Sequence, residues 1–265
     1  MKNLRDCFSK NVLFFAALLS LLLFLTDGII GDSDPISSNV ASLKRALTTL
    51  LGIAIIRMMD LWETAGFVRK NYINGIILGL PLLVLGFASA LPGMSKSIPD
   101  FLGIQNALVY TFNMFLVGLS EETIYRGLIF NNMLRRWKSD NNGMQKAVIW
   151  SAVVFGAAHL TNAFHAPVLT VAVQAINAMS AGLLFAVIFV KCKNIWALVT
   201  VHMMADWIAL FAQQCFTQGE SIISLEFSPV LALVTIAAGS GVPIVFSYIY
   251  LRSIKNEGKA AASKA

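Results

Sequence analysis

The stretch FLVGLSEETIYRGLIF, residues 115–130, sets two adjacent glutamates and an arginine inside an otherwise apolar run. On a helix, Glu122 and Arg126 are four residues apart and lie on one face, where their side chains can pair. Glu121 points about 100° away from Glu122, so this pairing leaves it without a partner in the stretch. Glu121 is therefore the residue whose presence needs a functional explanation.

The rest of the chain has the composition of a membrane protein. Of 265 residues, 57% are hydrophobic and 13% are charged, whereas roughly a quarter of the residues are charged in soluble domains. A membrane-spanning helix needs about 20 mostly apolar residues. Stretches of this kind predict eight spans, at 11–31, 43–62, 73–92, 106–134, 146–161, 168–190, 195–214 and 228–251. We therefore expect an all-α, polytopic helical bundle in which residues 1–265 form a single transmembrane domain.

The positive residues between these spans predict the orientation, because cytoplasmic loops carry the excess of Lys and Arg. If the N-terminus is inside, the outer segments hold three such residues: Lys44, Arg45 and Lys96. The inner segments hold fifteen: Lys2, Arg5, Lys10, Arg69, Lys70, Arg135, Arg136, Lys138, Lys146, Lys191, Lys193, Arg252, Lys255, Lys259 and Lys264. Both termini are thus predicted to be cytoplasmic, and the net charge of +6 needs no nucleic-acid partner. We expect the basic tail, 252–265, to lie near anionic lipid head groups.

Two further predicted spans carry ionisable groups. The segment FGAAHLTNAFH places His159 in the fifth span, and IWALVTVHMMADW places His202 and Asp206 on one helical face of the seventh. At 1.5 Å per residue, Glu121, His159 and His202 lie about 21, 20 and 14 Å from the inner charges of their spans. A charge at mid-bilayer costs at least ~2.5 kcal/mol. The sequence therefore predicts that these helices converge on one buried polar cavity.

Such a cavity has the groups that hydrolysis requires. A carboxylate and a histidine that converge on one water can deprotonate it, and His202 with Asp206 can stabilise the oxyanion that then forms on a peptide carbonyl. Alternatively, His159, His202 and a carboxylate hold a metal ion that activates the water. The residues alone do not separate these two mechanisms.

Two other classes of function remain open at this point. A proton-coupled transporter also keeps Asp, Glu and His inside its spans, although neither an inverted repeat nor matching helix breaks are visible. Polar groups in spans can also serve only to join helices through hydrogen bonds.

Three segments resemble the motifs of a known family. EETIYR, FGAAH and HMMAD are similar to the EExxxR, FxxxH and HxxxN/D motifs of the CAAX protease and bacteriocin-processing (CPBP) family, also labelled CAAX prenyl protease 2-like or Abi. The motifs occur in the family's order, and the resemblance covers a core of about 106–212. The N-terminal spans, 11–92, and the last span match only in being hydrophobic. The resemblance implies an all-helical intramembrane endopeptidase with a cavity open toward the cytoplasmic side.

The resemblance also implies roles for the residues in these motifs. Glu121 and His159 would activate the water, while Glu122 and Arg126 would shape and orient the site. The family is described both as metalloproteases and as glutamate-dependent enzymes, so a zinc ion or other divalent metal is an alternative. The residues that would hold it are His159, His202, Asp206 and Glu121.

His202 and Asp206 would occupy the place of the family's oxyanion-stabilising pair. An Asn at position 206 donates a hydrogen bond directly, whereas an ionised Asp only accepts one. Asp206 is therefore expected to be protonated, as an acid in an apolar site can be, to orient His202, or to bind a metal.

The resemblance implies a prenylated CAAX protein as substrate in a eukaryote, and leader or bacteriocin processing in bacteria. The short chain with few loops favours a bacterial cytoplasmic membrane, and therefore a peptide or a membrane-associated protein as the substrate. The expected partners are this substrate and membrane lipids, without nucleic acid. Because some relatives act as non-proteolytic scaffolds, regulators or immunity proteins, that role is the alternative within the same family.

Overall fold

The computed structural model describes residues 6–8, 10–29, 39–94, 101–164, 166–217 and 226–262. Its α-helices, in chain order, are α1 (Val12–Ile29), α2 (Asn39–Met58), α3 (Tyr72–Met94), α4 (Ile104–Glu122), α5 (Asn131–Arg136), α6 (Gly143–Ala158), α7 (Val168–Cys192), α8 (Ile195–Cys215) and α9 (Pro229–Ala262). A π-helix, Thr123–Phe130, joins α4 to α5, and two 3-10 helices cover Trp62–Thr64 and His159–Phe164. Within these ranges there is no β-strand, only an isolated bridge between Phe101 and Phe216. The predicted all-α class is confirmed.

Six helices in the described part of the chain are long and apolar enough to cross a membrane. They are Asn39–Met58, Tyr72–Leu91, Gly143–Phe164, Val168–Cys192, Ile195–Cys215 and Pro229–Glu257. Each coincides with a predicted span. Together they indicate an integral membrane protein, as predicted.

Two of the eight predicted spans are not among these six helices. The first, predicted at 11–31, contains α1, and its last two residues lie outside the described part of the chain. The fourth, 106–134, corresponds to the continuous run of α4, the π-helix and α5. The charges of Glu121, Glu122 and Arg126 lower the mean hydropathy of that run. The count of eight spans and the cytoplasmic placement of both termini stay predictions.

Large apolar side chains cover the outside of the bundle. Examples on different helices are Leu50, Ile73, Leu108 and Leu233, each more than half exposed. Apolar surface spread over every side of a helical bundle is what lipid contact requires, since a soluble monomer rarely exposes it.

Helices α7 and α8 lie at the centre of the bundle. Helix α8 packs against both α3 and α4, while α7 packs against both α6 and α9. Glycines allow the closest of these approaches: a Cβ on Gly118 of α4 would lie 2.8 Å from the carbonyl oxygen of Val199, and one on Gly86 of α3 would lie 2.7 Å from that of Ala205. Because α4 comes this close to α8, side chains that follow Gly118 can reach those of α8.

Candidate active site

The six residues singled out in the sequence come from four parts of the fold. Glu121 and Glu122 end α4, and Arg126 follows in the π-helix. His159 begins the 3-10 helix after α6, and α8 carries His202 and Asp206. Contacts among these parts connect five of the six residues directly, and His159 shares their cavity.

A buried chain of three side chains runs from the π-helix to α8. Oε1 of Glu122 accepts a hydrogen bond from Nη1 of Arg126 at 2.9 Å and another from Nδ1 of His202 at 2.7 Å. The Arg126–Glu122 pair was predicted from the four-residue spacing and is confirmed. The bond to His202 was not predicted, because sequence spacing gives no information on contacts between distant helices.

The guanidinium group of Arg126 is held from a second side. Its Nη2 donates to the carbonyl oxygen of Gly182 at 3.2 Å, and its Cζ lies 4.6 Å and 5.0 Å from the ring centroids of Phe155 and Phe185. The faces of aromatic rings attract a cation. Arg126 is thus anchored to α6 and α7 as well as to Glu122, although only 2% of it is exposed.

The other ring nitrogen of His202 faces two carboxylates. Nε2 lies 3.4 Å from Oδ2 of Asp206 and 3.7 Å from Oε2 of Glu121. Since Glu122 is an acceptor at Nδ1, that nitrogen carries a hydrogen. The ring is therefore oriented by Glu122, with Nε2 directed at the place where Glu121 and Asp206 approach one another.

His159 is oriented by its own helix. Its Nδ1 lies 2.9 Å from the carbonyl oxygen of Phe155, and a carbonyl oxygen can only accept, so Nδ1 is the donor. In the neutral ring, Nε2 is then the acceptor. The ring also meets Phe155 edge to face at 4.9 Å, and His159 lines the same cavity as Glu121.

A cavity of about 300 Å³ connects these groups. Glu121, His159, His202 and Asp206 contribute to its wall, which is otherwise mainly apolar. Oε2 of Glu121 is buried and has no hydrogen-bond partner among the described residues, although 21% of the side chain is exposed. The predicted convergence on one cavity is thus observed, with an apolar lining in place of a broadly polar one.

The π-helix changes the geometry just after the two glutamates. Nδ2 of Asn131 donates to two backbone carbonyls within it, those of Arg126 at 2.8 Å and Gly127 at 3.2 Å. π-Helical segments often occur at functional sites. No feature of the sequence analysis predicted this segment or the supporting role of Asn131.

Sequence analysis also missed residues that support the site from neighbouring helices. Tyr110 of α4 donates its hydroxyl to the carbonyl oxygen of Trp207 at 2.9 Å and lies 3.3 Å from that of Asp206. Gly182 and Phe185 hold Arg126 as described above. Tyr110 is fully buried. The presence of a tyrosine inside a predicted span was the one sequence feature that could have indicated this role, because a buried tyrosine hydroxyl usually has a hydrogen-bond partner.

A metal site is not evident in this arrangement. The residues that the structure describes include no group of three or more His, Cys, Asp or Glu side chains placed to hold a metal ion. Both ring nitrogens of His202 already face carboxylates. Metal ligation by His159, His202, Asp206 and Glu121 therefore stays a prediction, and no mechanistic step below depends on it.

The fold and the site together define a class: an integral membrane protein with carboxylates, histidines and an arginine clustered at a cavity inside the helical bundle. Residues 103–208 match the Rce1-like family, described as type II CAAX prenyl endopeptidase Rce1-like. This part of the chain is therefore an Rce1-like domain of the CPBP family, and the resemblance of its three motifs is confirmed. Because the family is one of proteases, the match supports a protease. Neither curated proteins nor solved structures give a match.

Proposed function

We propose that the protein is an intramembrane endopeptidase that hydrolyses a peptide bond by means of a water molecule activated by Glu121 and His159. The observation that carries this proposal is the buried oxygen of Glu121, which has no hydrogen-bond partner in the described part of the chain and lies at a cavity shared with both histidines. A carboxylate oxygen without a hydrogen-bond donor is available to accept a proton from a water molecule in the cavity.

The first step is the attack of water on the peptide carbonyl. Glu121 takes a proton from the water while Nε2 of His159 accepts a hydrogen bond from its second hydrogen. The resulting hydroxide adds to the carbonyl carbon, which gives a tetrahedral oxyanion. Glu121 then passes its proton to the amide nitrogen as the carbon–nitrogen bond breaks.

The oxyanion is stabilised from α8. With a proton on Nε2, His202 donates toward the cavity, and Glu122 at Nδ1 stabilises the positive ring. Asp206, 3.4 Å from Nε2, orients this nitrogen, which is one of the roles that an ionised Asp can fill. Arg126 neutralises Glu122 and keeps its carboxylate in place. In this proposal Glu122 and Arg126 position the catalytic groups and do not contact the substrate.

The substrate is a peptide or a membrane-associated protein, and the protein acts in a bacterial cytoplasmic membrane among lipids and without nucleic acid. A cavity inside a helical bundle favours a substrate that approaches within or beside the membrane. An apolar wall and a single cluster of charges also favour bond hydrolysis over the ion-coupled transport considered above.

Cleavage by the purified, detergent-solubilised protein tests this proposal. Wild type, Glu121→Gln and Glu63→Gln would be compared on a library of quenched peptides, plain and prenylated. Glu63 is an exposed glutamate outside the site and serves as the matched control. We expect cleavage by wild type and Glu63→Gln and a loss of 10²-fold or more, on the order expected for a general base, in folded Glu121→Gln.

Two results would contradict the proposal. Cleavage that survives in Glu121→Gln would show that Glu121 is not the base, and a wild type that cleaves no peptide in the library would argue for the scaffold role. A chelator-treated sample of wild type tests the alternative in which a metal ion assists: loss of activity that zinc restores would require a metal in the mechanism.

A further inference from the structure

One face of α7 forms a wall of the cavity, and its side chains change from polar to apolar along the helix. Near the start of the helix this face carries the polar side chains of Gln174 and Asn177, followed by Ala178 and Ala181. It ends at Phe185, whose ring lies 5.0 Å from that of His202. The amide side chains thus lie at the end of the cavity that is remote from His202, and the mechanism above does not use them.

The amide group of Gln174 forms a hydrogen bond through its oxygen atom. Its Oε1 accepts a hydrogen bond from Nδ2 of Asn162 at 2.9 Å. No partner for the Nε2 group of Gln174 occurs among the described residues. With its Oε1 occupied by Nδ2 of Asn162, Gln174 keeps the two N–H donors of its Nε2 group available at the cavity wall.

Asn177, one helical turn further along, differs in this respect. Its Oδ1 accepts from Oγ of Ser240 at 2.9 Å, and its Nδ2 lies 3.5 Å from the carbonyl oxygen of Thr235. Gly239 leaves the space for this contact, because a Cβ there would lie 2.7 Å from the amide of Asn177. Asn177 therefore joins α7 to α9, whereas the Nε2 group of Gln174 has no hydrogen-bond partner among the described residues.

A polypeptide in this cavity needs such a donor. Its backbone carbonyls lose water on entering an apolar space, and an unpaired one costs about 1–3 kcal/mol. Gln174 is eleven residues before Phe185, which is about 16 Å along the helix. Asn162, to which Gln174 is bonded, follows His159 by three residues of the 3-10 helix, which is about 6 Å. Because the cleaved bond must reach both histidines, and an extended chain rises about 3.3 Å per residue, the bound carbonyl lies about two to five residues from that bond.

We propose that Gln174 is a substrate-binding residue whose Nε2 group donates a hydrogen bond to a backbone carbonyl of an extended polypeptide, several residues from the bond that is cleaved. The inference rests on the proposed function, since it assumes that the occupant of the cavity is a polypeptide. It assigns Gln174 to specificity and to affinity, and not to bond breaking.

Binding, measured separately from cleavage, tests this assignment. The full-length Glu121→Gln protein in detergent would be titrated with fluorescein-labelled versions of the library peptides, and the anisotropy would give Kd. The additional substitution Gln174→Met keeps the length of the side chain and removes its donors. We expect Kd to rise about fivefold to tenfold, as for the loss of one hydrogen bond.

A scan of the peptide backbone identifies the acceptor. Replacing one amide at a time by an ester weakens that carbonyl as an acceptor, and we expect one position at which the ester weakens binding to the Gln174 protein but not to Gln174→Met. Coupling of this kind isolates the pairwise interaction. Gln174→Ala serves the same comparison if Gln174→Met does not fold.

Asn162→Leu is the matched control for a purely structural role. It breaks the same Asn162–Gln174 bond but keeps the donors of Gln174, so the effect of the ester at that one position should persist. Three results would overturn the inference. The first is an equal Kd with and without Gln174, and the second is that no peptide binds. The third is an equal loss of affinity in Asn162→Leu and Gln174→Met, with the ester effect retained in both variants. Binding that depends on Gln174 in a protein whose wild type cleaves nothing would support the inference and overturn the proposed endopeptidase.

Discussion

At the scale of single residues, the site is organised by one buried carboxylate. Glu122 is fully buried and accepts hydrogen bonds from both Arg126 and His202. Burying an ion is tolerated only when a partner of opposite charge compensates it. Glu122 thus makes the position of His202 depend on Arg126, although these two residues belong to different helices.

Loss of Arg126 should destabilise the whole protein. Arg126→Met removes the guanidinium charge and the donor to Gly182, which leaves the buried Glu122 with His202 as its remaining hydrogen-bond donor. We expect the free energy of unfolding to fall by about 3–5 kcal/mol, measured by chemical unfolding in detergent. Lys146→Met is the control, because Lys146 and Asp140 form an ion pair in which Lys146 is 49% exposed, and such pairs contribute about 1 kcal/mol or less. Similar losses in the two variants would contradict the central position of Arg126.

Substitutions of Asp206 distinguish two ways of stabilising the oxyanion: a direct hydrogen bond from residue 206, and orientation of His202 by that residue. Asn at this position can donate a hydrogen bond to the oxyanion directly, whereas Leu can neither donate nor orient His202. We expect kcat of Asp206→Asn to remain within about tenfold of wild type and kcat of Asp206→Leu to fall by about 10²–10³-fold, as for the loss of an oxyanion donor. The measurement is kcat on a cleaved library peptide. Inactivity of Asp206→Asn together with full folding would show that the negative charge itself is required.

At the scale of elements, the close approach of α4 and α8 sets the distance between the glutamates and His202. Gly118 precedes Glu121 by three residues and faces the backbone of α8, where an added Cβ would lie 2.8 Å from the carbonyl oxygen of Val199. Backbone cannot rotate away as the end of a side chain can. The helices themselves must therefore separate if this glycine is replaced.

Gly118→Ala should consequently lower both stability and activity. We expect a loss of about 1–3 kcal/mol in the free energy of unfolding, typical of overpacking, together with a fall in kcat because His202 moves away from Glu122. Gly241→Ala in α9 is the matched control, since no atom lies within 4 Å of its added Cβ, and alanine favours a helix by up to about 1 kcal/mol. Unfolding in detergent and peptide cleavage would be measured for both variants. If both behaved alike, the contact between α4 and α8 would not set the geometry of the site.

At the scale of the whole molecule, the distribution of positive charge predicts which side of the membrane each connection faces. Six described helices are long and apolar enough to cross, and the orientation follows from fifteen inner against three outer positive residues. In this orientation, the connection between α5 and α6 is cytoplasmic and the one between α3 and α4 is external.

Labelling of introduced cysteines tests this orientation. In a background without Cys7, Cys192 and Cys215, Lys138→Cys should react with a membrane-impermeant maleimide only after cells are permeabilised. Lys96→Cys should react in intact cells, because the sequence places it in an outer segment. The opposite pattern would invert the predicted topology, and equal labelling of both positions would contradict an odd number of spans between them.

The match between prediction and structure differs between the fold and the site. Spans were predictable because apolar stretches of about 20 residues have few alternatives in a lipid environment. The Arg126–Glu122 pair was predictable because a spacing of four residues on a helix has only one geometry. The hydrogen bond between Glu122 and His202 was not, since the two residues are eighty positions apart.

By itself, the sequence determined that this is an all-helical membrane protein and that its ionisable groups are clustered in three motifs of a protease family. Composition suffices for the first, because it reflects the solvent around the helices, whereas the second rests on the resemblance of the three motifs to those of the family. Only the tertiary structure decided that Glu122 orients His202, that Glu121 lines the cavity with an oxygen that has no hydrogen-bond partner among the described residues, and that Gln174 lines the same cavity. These relations depend on how far each helix is rotated and how closely it approaches its neighbours, and the packing of many side chains and glycines sets both quantities at once.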